Sequence, residues 1–327
     1  ELREAICGIA QRLRGVRARP EQVIVTSGSQ LGLLMCLKIL FSPGDKVWIE
    51  DPQYPLLRAA TKTQDIVPVY VPVDNEGFNL QTALALEPNA KGVFLTPSHQ
   101  CPLGMLMSIQ RRRNILQWAS ESGGWIVEDD YDNELRYGGN LAYPSLQGMD
   151  SGNNVIYVGT FSKSLFPGLR LGYMVVPEEL VKPFSGMRFL IDRQSNEILQ
   201  MAVAEFIKTG LYETHLLKMR RIFEARRDYL IQAVQENFGD WGKFIATGQG
   251  MHLTFVFNNS DINDEAVADL CRRQGVELRS ISSFSIGTPL YKGLIMGFGH
   301  FPPAQLLAAV SRIGFVLRDK FAAFGPN

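Results

Sequence analysis

Short apolar, β-rich runs alternate with helical patterns through the first two-thirds of the chain, and this alternation most narrows the folds open to it. The runs are QVIVTSG, KVWIED, GVFLTP, GWIVEDD, NVIYVGT and RLGYMVVP, with helical stretches such as Leu31 to Leu40 and Gln110 to Glu121 between several of them. Strands joined through helices lie mostly parallel, in a sheet that helices cover. Ligands on such sheets bind beyond the carboxyl ends of the strands. The segments TSG, TPSHQ, EDDYD and GTFSK all follow strands directly, so they are expected to gather at one sheet edge.

After Pro177 the character changes. Residues from about Gly186 to Phe238 read as long helices with charge patterning of the KMRRIFEARRDYL type. MHLTFVF and GLIMGFGH then read as strands, and DEAVADLCRRQG and PPAQLLAAVSRIGFVL as helices, which makes a small α+β lobe. At the other end, Leu2, Ile6, Ile9 and Leu13 have helical spacing, with no initiating methionine and no cap before them. That start reads as the interior of a longer protein. The expected division is an N-terminal helix in residues 1–20 packing on the small domain, a large domain at 21–215 and a small domain at 216–327. A chain of 327 residues that is 46% hydrophobic can bury cores of both sizes.

Lys+Arg and Asp+Glu are both 33, so no global charge draws the chain to nucleic acid or a membrane surface. No uninterrupted apolar run approaches a membrane span. Cys7, Cys36, Cys101 and Cys271 show neither close pairing nor metal-ligand spacing, which suits reduced thiols in a cytoplasmic protein. His99, His215, His252 and His300 are scattered, which argues against a zinc site.

The chemistry concentrates in GTFSKSLFPGLRLGY, Gly159 to Tyr173. A lysine that forms imines must lose its proton, so it needs a nearby positive charge or a dry site. Thr160, Ser162 and Ser164 surround Lys163 with hydroxyls, and Arg170 offers a two-pronged donor suited to phosphate. A nucleotide-binding P-loop would need glycine immediately before the lysine, where this chain has Ser162. VEDDYDNE packs Glu128, Asp129, Asp130, Asp132 and Glu134 into one loop, and the spacing matches no calcium loop. Besides capping and solvation, such a loop can keep one aspartate ionised beside a protonated pyridine nitrogen while a tyrosine donates to a ring oxygen. TSGSQLGL places a helix start after a strand, where free N–H groups hold phosphate, and EDPQYP places Tyr54 where an aromatic can lie over a flat ring.

Together VTSGSQLGL, EDPQYP, TPSHQCPLG, EDDYDNE and GTFSKSLFPGLRLGYMVVP make the chain resemble a fold-type I, pyridoxal 5'-phosphate (PLP)-dependent aminotransferase of class I/II. More narrowly, it resembles the C-terminal aminotransferase-like domain of the MocR/GabR family of transcription regulators. The resemblance implies an aspartate aminotransferase-like α/β fold, with a large, mostly parallel sheet and a small α+β C-terminal domain. It implies that Lys163 forms the internal aldimine, that Asp129 pairs with the pyridine nitrogen and that Tyr131 bonds the ring hydroxyl. Ser29, Gln30, Thr160, Ser162 and Arg170 would hold the phosphate, and Tyr54 would stack near the ring. A homodimer is implied as well.

Two departures from the family pattern bear on the ligand. Cys101 stands where aminotransferases place the asparagine of their N-P-x-G turn, and His300 stands where relatives that grip a carboxylate have arginine. Histidine is a poorer, pH-dependent carboxylate partner. Arg58 or Arg193 could take over that task, and His252 in GMHLTF resembles a recurrent family position. The function implied is an effector-sensing domain that forms an external aldimine with an amino acid or amine and contacts DNA only through an N-terminal helix-turn-helix domain outside this chain. The alternatives are a working aminotransferase and a scaffold that has lost its cofactor; intact Lys163, Asp129 and Arg170 argue against the last.

Overall fold

The computed structural model describes residues 1–138, 143–193 and 196–325. The chain opens with helix α1 (Leu2–Arg14) and continues as β1 (Val23–Thr26), α2 (Ser29–Leu40), β2 (Lys46–Asp51), α3 (Pro55–Thr63), β3 (Val67–Asp74), β4 (Gly77–Phe78), α4 (Leu80–Leu86), β5 (Gly92–Leu95), α5 (Ile109–Ser122), β6 (Trp125–Asp130), α6 (Leu146–Met149), β7 (Val155–Thr160) and β8 (Gly172–Val175). These strands form one sheet in the order β1-β8-β7-β6-β5-β2-β3-β4. The β2–β3, β2–β5, β5–β6 and β6–β7 pairs are parallel, whereas β8 is antiparallel to both neighbours, β1 and β7. The carboxyl ends of β1, β2, β5, β6 and β7 therefore share one edge with the beginning of β8. That reversal is what carries Arg170, just before β8, to the edge where the strand-following motifs lie.

Every residue of β1, β5, β7 and β8 is buried. Helices cover both sheet faces, so these strands are continuous apolar runs rather than alternating ones. The strand β3, VPVYVPVD, carries Pro68 and Pro72 and so lacks a strand signal. The fold accepts it because β4, its neighbour on one side, pairs only with Val73 and Asp74. Most of β3 is thus an edge strand.

The chain then runs through α7 (Val181–Asp192), α8 (Glu197–Lys208) and α9 (Leu211–Phe238) into β9 (Gly242–Ile245), β10 (His252–Phe257), α10 (Asp264–Arg273), β11 (Arg279–Ser280), β12 (Gly293–Gly297) and α11 (Pro303–Lys320). The second sheet, β11-β12-β10-β9, is antiparallel throughout. Its core joins Leu253 and Phe255 to Leu230, Val234, Val267, Val310 and Leu317 of α9, α10 and α11.

One expectation about organisation changes. The helix α1 packs on the large sheet rather than on the small domain: Leu2, Ile6 and Ile9 share a core with Val23, Tyr157 and Val175, and with Val203 and Ile207 of α8. Its apolar stripe announced a packed helix but not its partner. The division at residues 215–216 falls inside α9, a single 28-residue helix. Tyr212 and Leu216 at its start belong to the core of α1, while Phe223, Leu230 and Val234 belong to the small lobe. Among the described residues, no helix is long and apolar enough to cross a membrane.

Candidate functional site

The register of the large sheet sets Thr26, Gly172 and Thr160 side by side. Just beyond them lie Gly28, Arg170 and Ser162. Gly28 caps α2 with φ 100° and ψ 165°, a conformation open to glycine. A Cβ there would sit 3.2 Å from Nη2 of Arg170. The missing side chain lets the guanidinium close over the helix start, and Nη2 donates to the Ser27 carbonyl at 3.1 Å. Ser29 and Gln30 open α2, where backbone N–H groups have no intrahelical partners and attract an anion. Thr160 is buried and its hydroxyl is already engaged, accepting from the Ser162 N–H at 3.1 Å and donating to the Leu171 carbonyl at 3.4 Å. It shapes the loop that carries Ser162 and Lys163.

Alternation along β6 sorts the acids. Glu128 and Asp130 share one face. Glu128 accepts from the N–H groups of Leu146 at 2.9 Å and Gln147 at 3.0 Å, with Arg112 3.9 Å away. Asp130 binds Arg14 Nε at 2.6 Å and the Tyr157 hydroxyl at 2.7 Å. Asp129 faces the other way, and its Oδ1 is buried with no hydrogen-bond partner. Burial first, and then the charges of Asp130, Asp132 and Glu50, push its carboxyl up to about 7, while Lys163 opposes the shift. A buried carboxylate oxygen without a partner is what a cationic N–H would relieve. Beside it is a cavity of about 20 Å³ lined by Glu50, Gln53, Tyr54, Cys101 and Asp129. Glu50 binds Thr96 through its N–H at 3.0 Å and its hydroxyl at 2.6 Å, and burial pushes its carboxyl up to about 7 as well.

Lys163 is exposed on the loop after β7. Its charge reaches Asp129, Cys101 and His252. The Cys101 N–H donates to Thr96 Oγ1 at 3.0 Å, and burial raises its thiol far above the usual range, so it is a neutral group. Tyr131 contacts His99, its Oη lying 3.2 Å from Nδ1. His252 lies 3.0 Å from the Pro102 carbonyl through Nε2, and burial, followed by His99, lowers its pKa to about 4. Tyr54 caps α3, half-buried, within the electrostatic reach of Asp129 and Arg170.

Other expected ligand residues are not drawn in. His300 is exposed and makes no hydrogen bond, ion pair or ring contact among the described residues. Arg58 lies on α3 beside Asp51 and Tyr70. Arg193 ends α7 with φ 60° and lies over the Phe189 ring at 5.9 Å. Sequence reasoning overlooked Glu50, His99 and Asp132. All three stand inside the motifs EDPQYP, TPSHQ and EDDYD, and being a strand-following polar group was the one signal available.

The donor set fits a pyridine ring with a phosphate at one end: a buried carboxylate oxygen without a partner, a glycine-lined helix start closed by arginine, and a lysine whose charge reaches that carboxylate. Over residues 1–296 the chain matches the family described as aminotransferase class I and II. It is 35% identical over 317 residues to an uncharacterized HTH-type transcriptional regulator of Bacillus subtilis, YdeL, covering 96% of this chain and 66% of that protein. It is also 35% identical to the probable rhizopine catabolism regulatory protein MocR of Rhizobium meliloti, covering 98% of this chain and 64% of that protein. The chain thus spans a little under two thirds of these relatives. Among solved structures, a Pyrococcus horikoshii kynurenine aminotransferase superposes with a TM-score of 0.89 at 25% identity, over 98% of this chain and 80% of that one. The chain belongs to the aminotransferase class I and II family, on the branch that includes the MocR-type regulators.

Proposed function

We propose that this chain is the PLP-binding, effector-sensing part of a transcription regulator of the MocR type. The observation that carries the reading is a cofactor-ready site, with a buried Asp129 oxygen left without a partner within reach of the Lys163 charge, on a chain whose relatives bear the names of HTH-type regulators. PLP supplies an electron-withdrawing ring and an aldehyde that condenses with amines. Lys163 provides the amine that holds it, and Asp129 the charge that keeps the ring nitrogen protonated. Tyr131 donates to the ring hydroxyl, and Tyr54 flanks the ring. The N–H groups of Ser29 and Gln30, with Ser162 and Arg170, take the phosphate. An amino acid or amine that displaces Lys163 is sensed insofar as it favours one arrangement of the two lobes over another. Contact with DNA, in this reading, belongs to the third of such proteins that this chain does not align with, and the protein acts in the cytoplasm.

A visible absorbance titration with amino acids and amines tests the reading. The protein with PLP is expected to show a lysine-dependent band that borohydride fixes covalently, and Lys163→Ala is expected to abolish the fixation. A band shift without release of a 2-oxo acid supports sensing. Release of the 2-oxo acid makes the chain a working aminotransferase, and absence of any band overturns both.

A homodimer accompanies this function. Leu190 and Ile198 are 80% and 78% exposed, among Phe189, Ile191, Leu199 and Met201 on α7 and α8. Such a concentration of apolar surface marks a contact site. Asp192 on α7 accepts from the Ser27 hydroxyl at 3.0 Å, which joins this face to the phosphate loop. Leu190→Glu combined with Ile198→Glu is expected to convert a dimer into a monomer in light scattering after size exclusion. A double variant that stays dimeric would place the interface elsewhere.

A further inference from the structure

The surroundings of Tyr131 contain a second device. His99 and Asp132 are each about 3% exposed, and Nδ1 of His99 lies 2.9 Å from both carboxylate oxygens of Asp132. The same Nδ1 lies 3.2 Å from the Tyr131 hydroxyl. One tautomer satisfies this arrangement. A lone pair on Nδ1 would face two anionic oxygens, so Nδ1 carries the hydrogen and gives it to Asp132. A protonated Nδ1 accepts nothing. The Tyr131 oxygen can then lie against the imidazole N–H, while its own hydrogen points elsewhere.

The ring is held in that pose from several sides. It stacks on Tyr131 at 5.8 Å and 26° and on His252 at 5.1 Å and 30°. Gly104 and Gly250 leave it room: a Cβ at Gly104 would sit 3.1 Å from Nε2, and one at Gly250 would collide with Cε1.

We propose that Asp132 and His99 form a positioning pair for Tyr131, which fixes the histidine tautomer so that the tyrosine hydroxyl donates into the cofactor site rather than to His99. The inference rests on the PLP reading above. Asp132 and His99 touch no cofactor atom in this role; they act through Tyr131. The logic is that of a carboxylate that selects a histidine tautomer in a catalytic triad.

Asp132→Asn separates this role from mere packing. A neutral asparagine side chain no longer compels the hydrogen onto Nδ1; with the hydrogen on Nε2, the Nδ1 lone pair is free to accept from the Tyr131 hydroxyl. The variant is expected to copy Tyr131→Phe although the tyrosine is intact. In the PLP-loaded protein, both variants should move the pH midpoint of the visible band in the same direction by about one unit or more. The double variant should move it no further than either alone, because both remove one interaction. His99→Asn, which keeps an N–H near the Nδ1 position, should stay close to wild type, whereas His99→Leu should not.

The readout without cofactor is the histidine side-chain ¹H–¹⁵N spectrum, expected to show His99 with hydrogen on Nδ1 in the wild type and on Nε2 in Asp132→Asn. An Nε2 hydrogen in the wild type, an unmoved midpoint in Asp132→Asn, or fully additive shifts would overturn the proposal. A wild-type protein that takes up no PLP would instead overturn the cofactor reading, and this role with it.

Discussion

Asp129→Asn is expected to raise the melting temperature of the cofactor-free protein at pH 8 while weakening its hold on PLP. Burial, reinforced by Asp130, Asp132 and Glu50, pushes the Asp129 carboxyl up to about 7. An unfolded aspartate ionises near pH 4. Below that pH both states hold the proton, and this group's contribution to stability is fully present. As pH rises from about 4 to about 7, the unfolded chain releases a proton that the folded one retains, so stability falls; above the folded value the penalty is complete. A shift of that size corresponds to about 4 kcal/mol at most. Local relaxation lowers it, and about 1–2 kcal/mol is the gain expected for the neutral, isosteric amide at pH 8.

Thermal melts between pH 5 and 8 check this. Wild type should lose more stability across the range than the variant. Glu50 and Glu134, both pushed up to about 7 chiefly by burial, leave the variant some dependence of the same sign. A variant that melts lower at pH 8 would show that the folded protein already compensates the charge. Toward PLP the effect reverses, since an amide cannot neutralise a ring N–H cation. The affinity should fall by about a hundredfold or more, as for a buried ion pair deprived of one member. A site that costs stability until its ligand arrives is the signature expected of a cofactor pocket.

How much of this was legible follows from which interactions are local. Buried parallel strands write themselves as continuous apolar runs, so β1, β2, β5, β6 and β7 and the motifs after them could be read directly. The run RLGYMVVP announced β8 but not its reversal, which is a property of pairing with Thr26 and Thr160 and not of the run itself. Prolines concealed β3 because the edge position that excuses them is set by the length of β4. The acid loop shows the limit best. Five carboxylates were visible, but Asp130 is claimed by Arg14, 116 residues earlier, and Asp132 by His99, 33 residues earlier. Asp129 keeps an oxygen without a partner while those distant residues hold its neighbours. Family resemblance assigned the pairing with a ring nitrogen to Asp129; residue order alone left the choice open.

The phosphate cup depends on a stack of glycines, and one of them should be indispensable. A Cβ on Gly172 would lie 2.8 Å from the carbonyl carbon of Gly28 and 3.0 Å from the Gly159 oxygen. Both are backbone atoms in adjacent strands or at their ends, so neither can swing aside as a side chain would. Gly172→Ala must therefore push the start of α2 away from β8, and with it the N–H groups of Ser29 and Gln30 away from Arg170. Overpacking of this kind costs about 1–3 kcal/mol. A displaced cup should also cost PLP binding more than tenfold, about 1.4 kcal/mol. Gly168 offers the control four residues earlier in the same segment. A Cβ there meets nothing nearer than the Phe166 ring at 3.6 Å, and the backbone is already compatible with alanine. Gly168→Ala should change stability by no more than about 0.5 kcal/mol, through the unfolded chain if at all. Urea melts and PLP titrations of the two variants separate the cases. If Gly172→Ala matched Gly168→Ala in both, the close approach of β8 to Gly28 would not be what shapes the cup, and Arg170 would have to reach the phosphate from a looser loop.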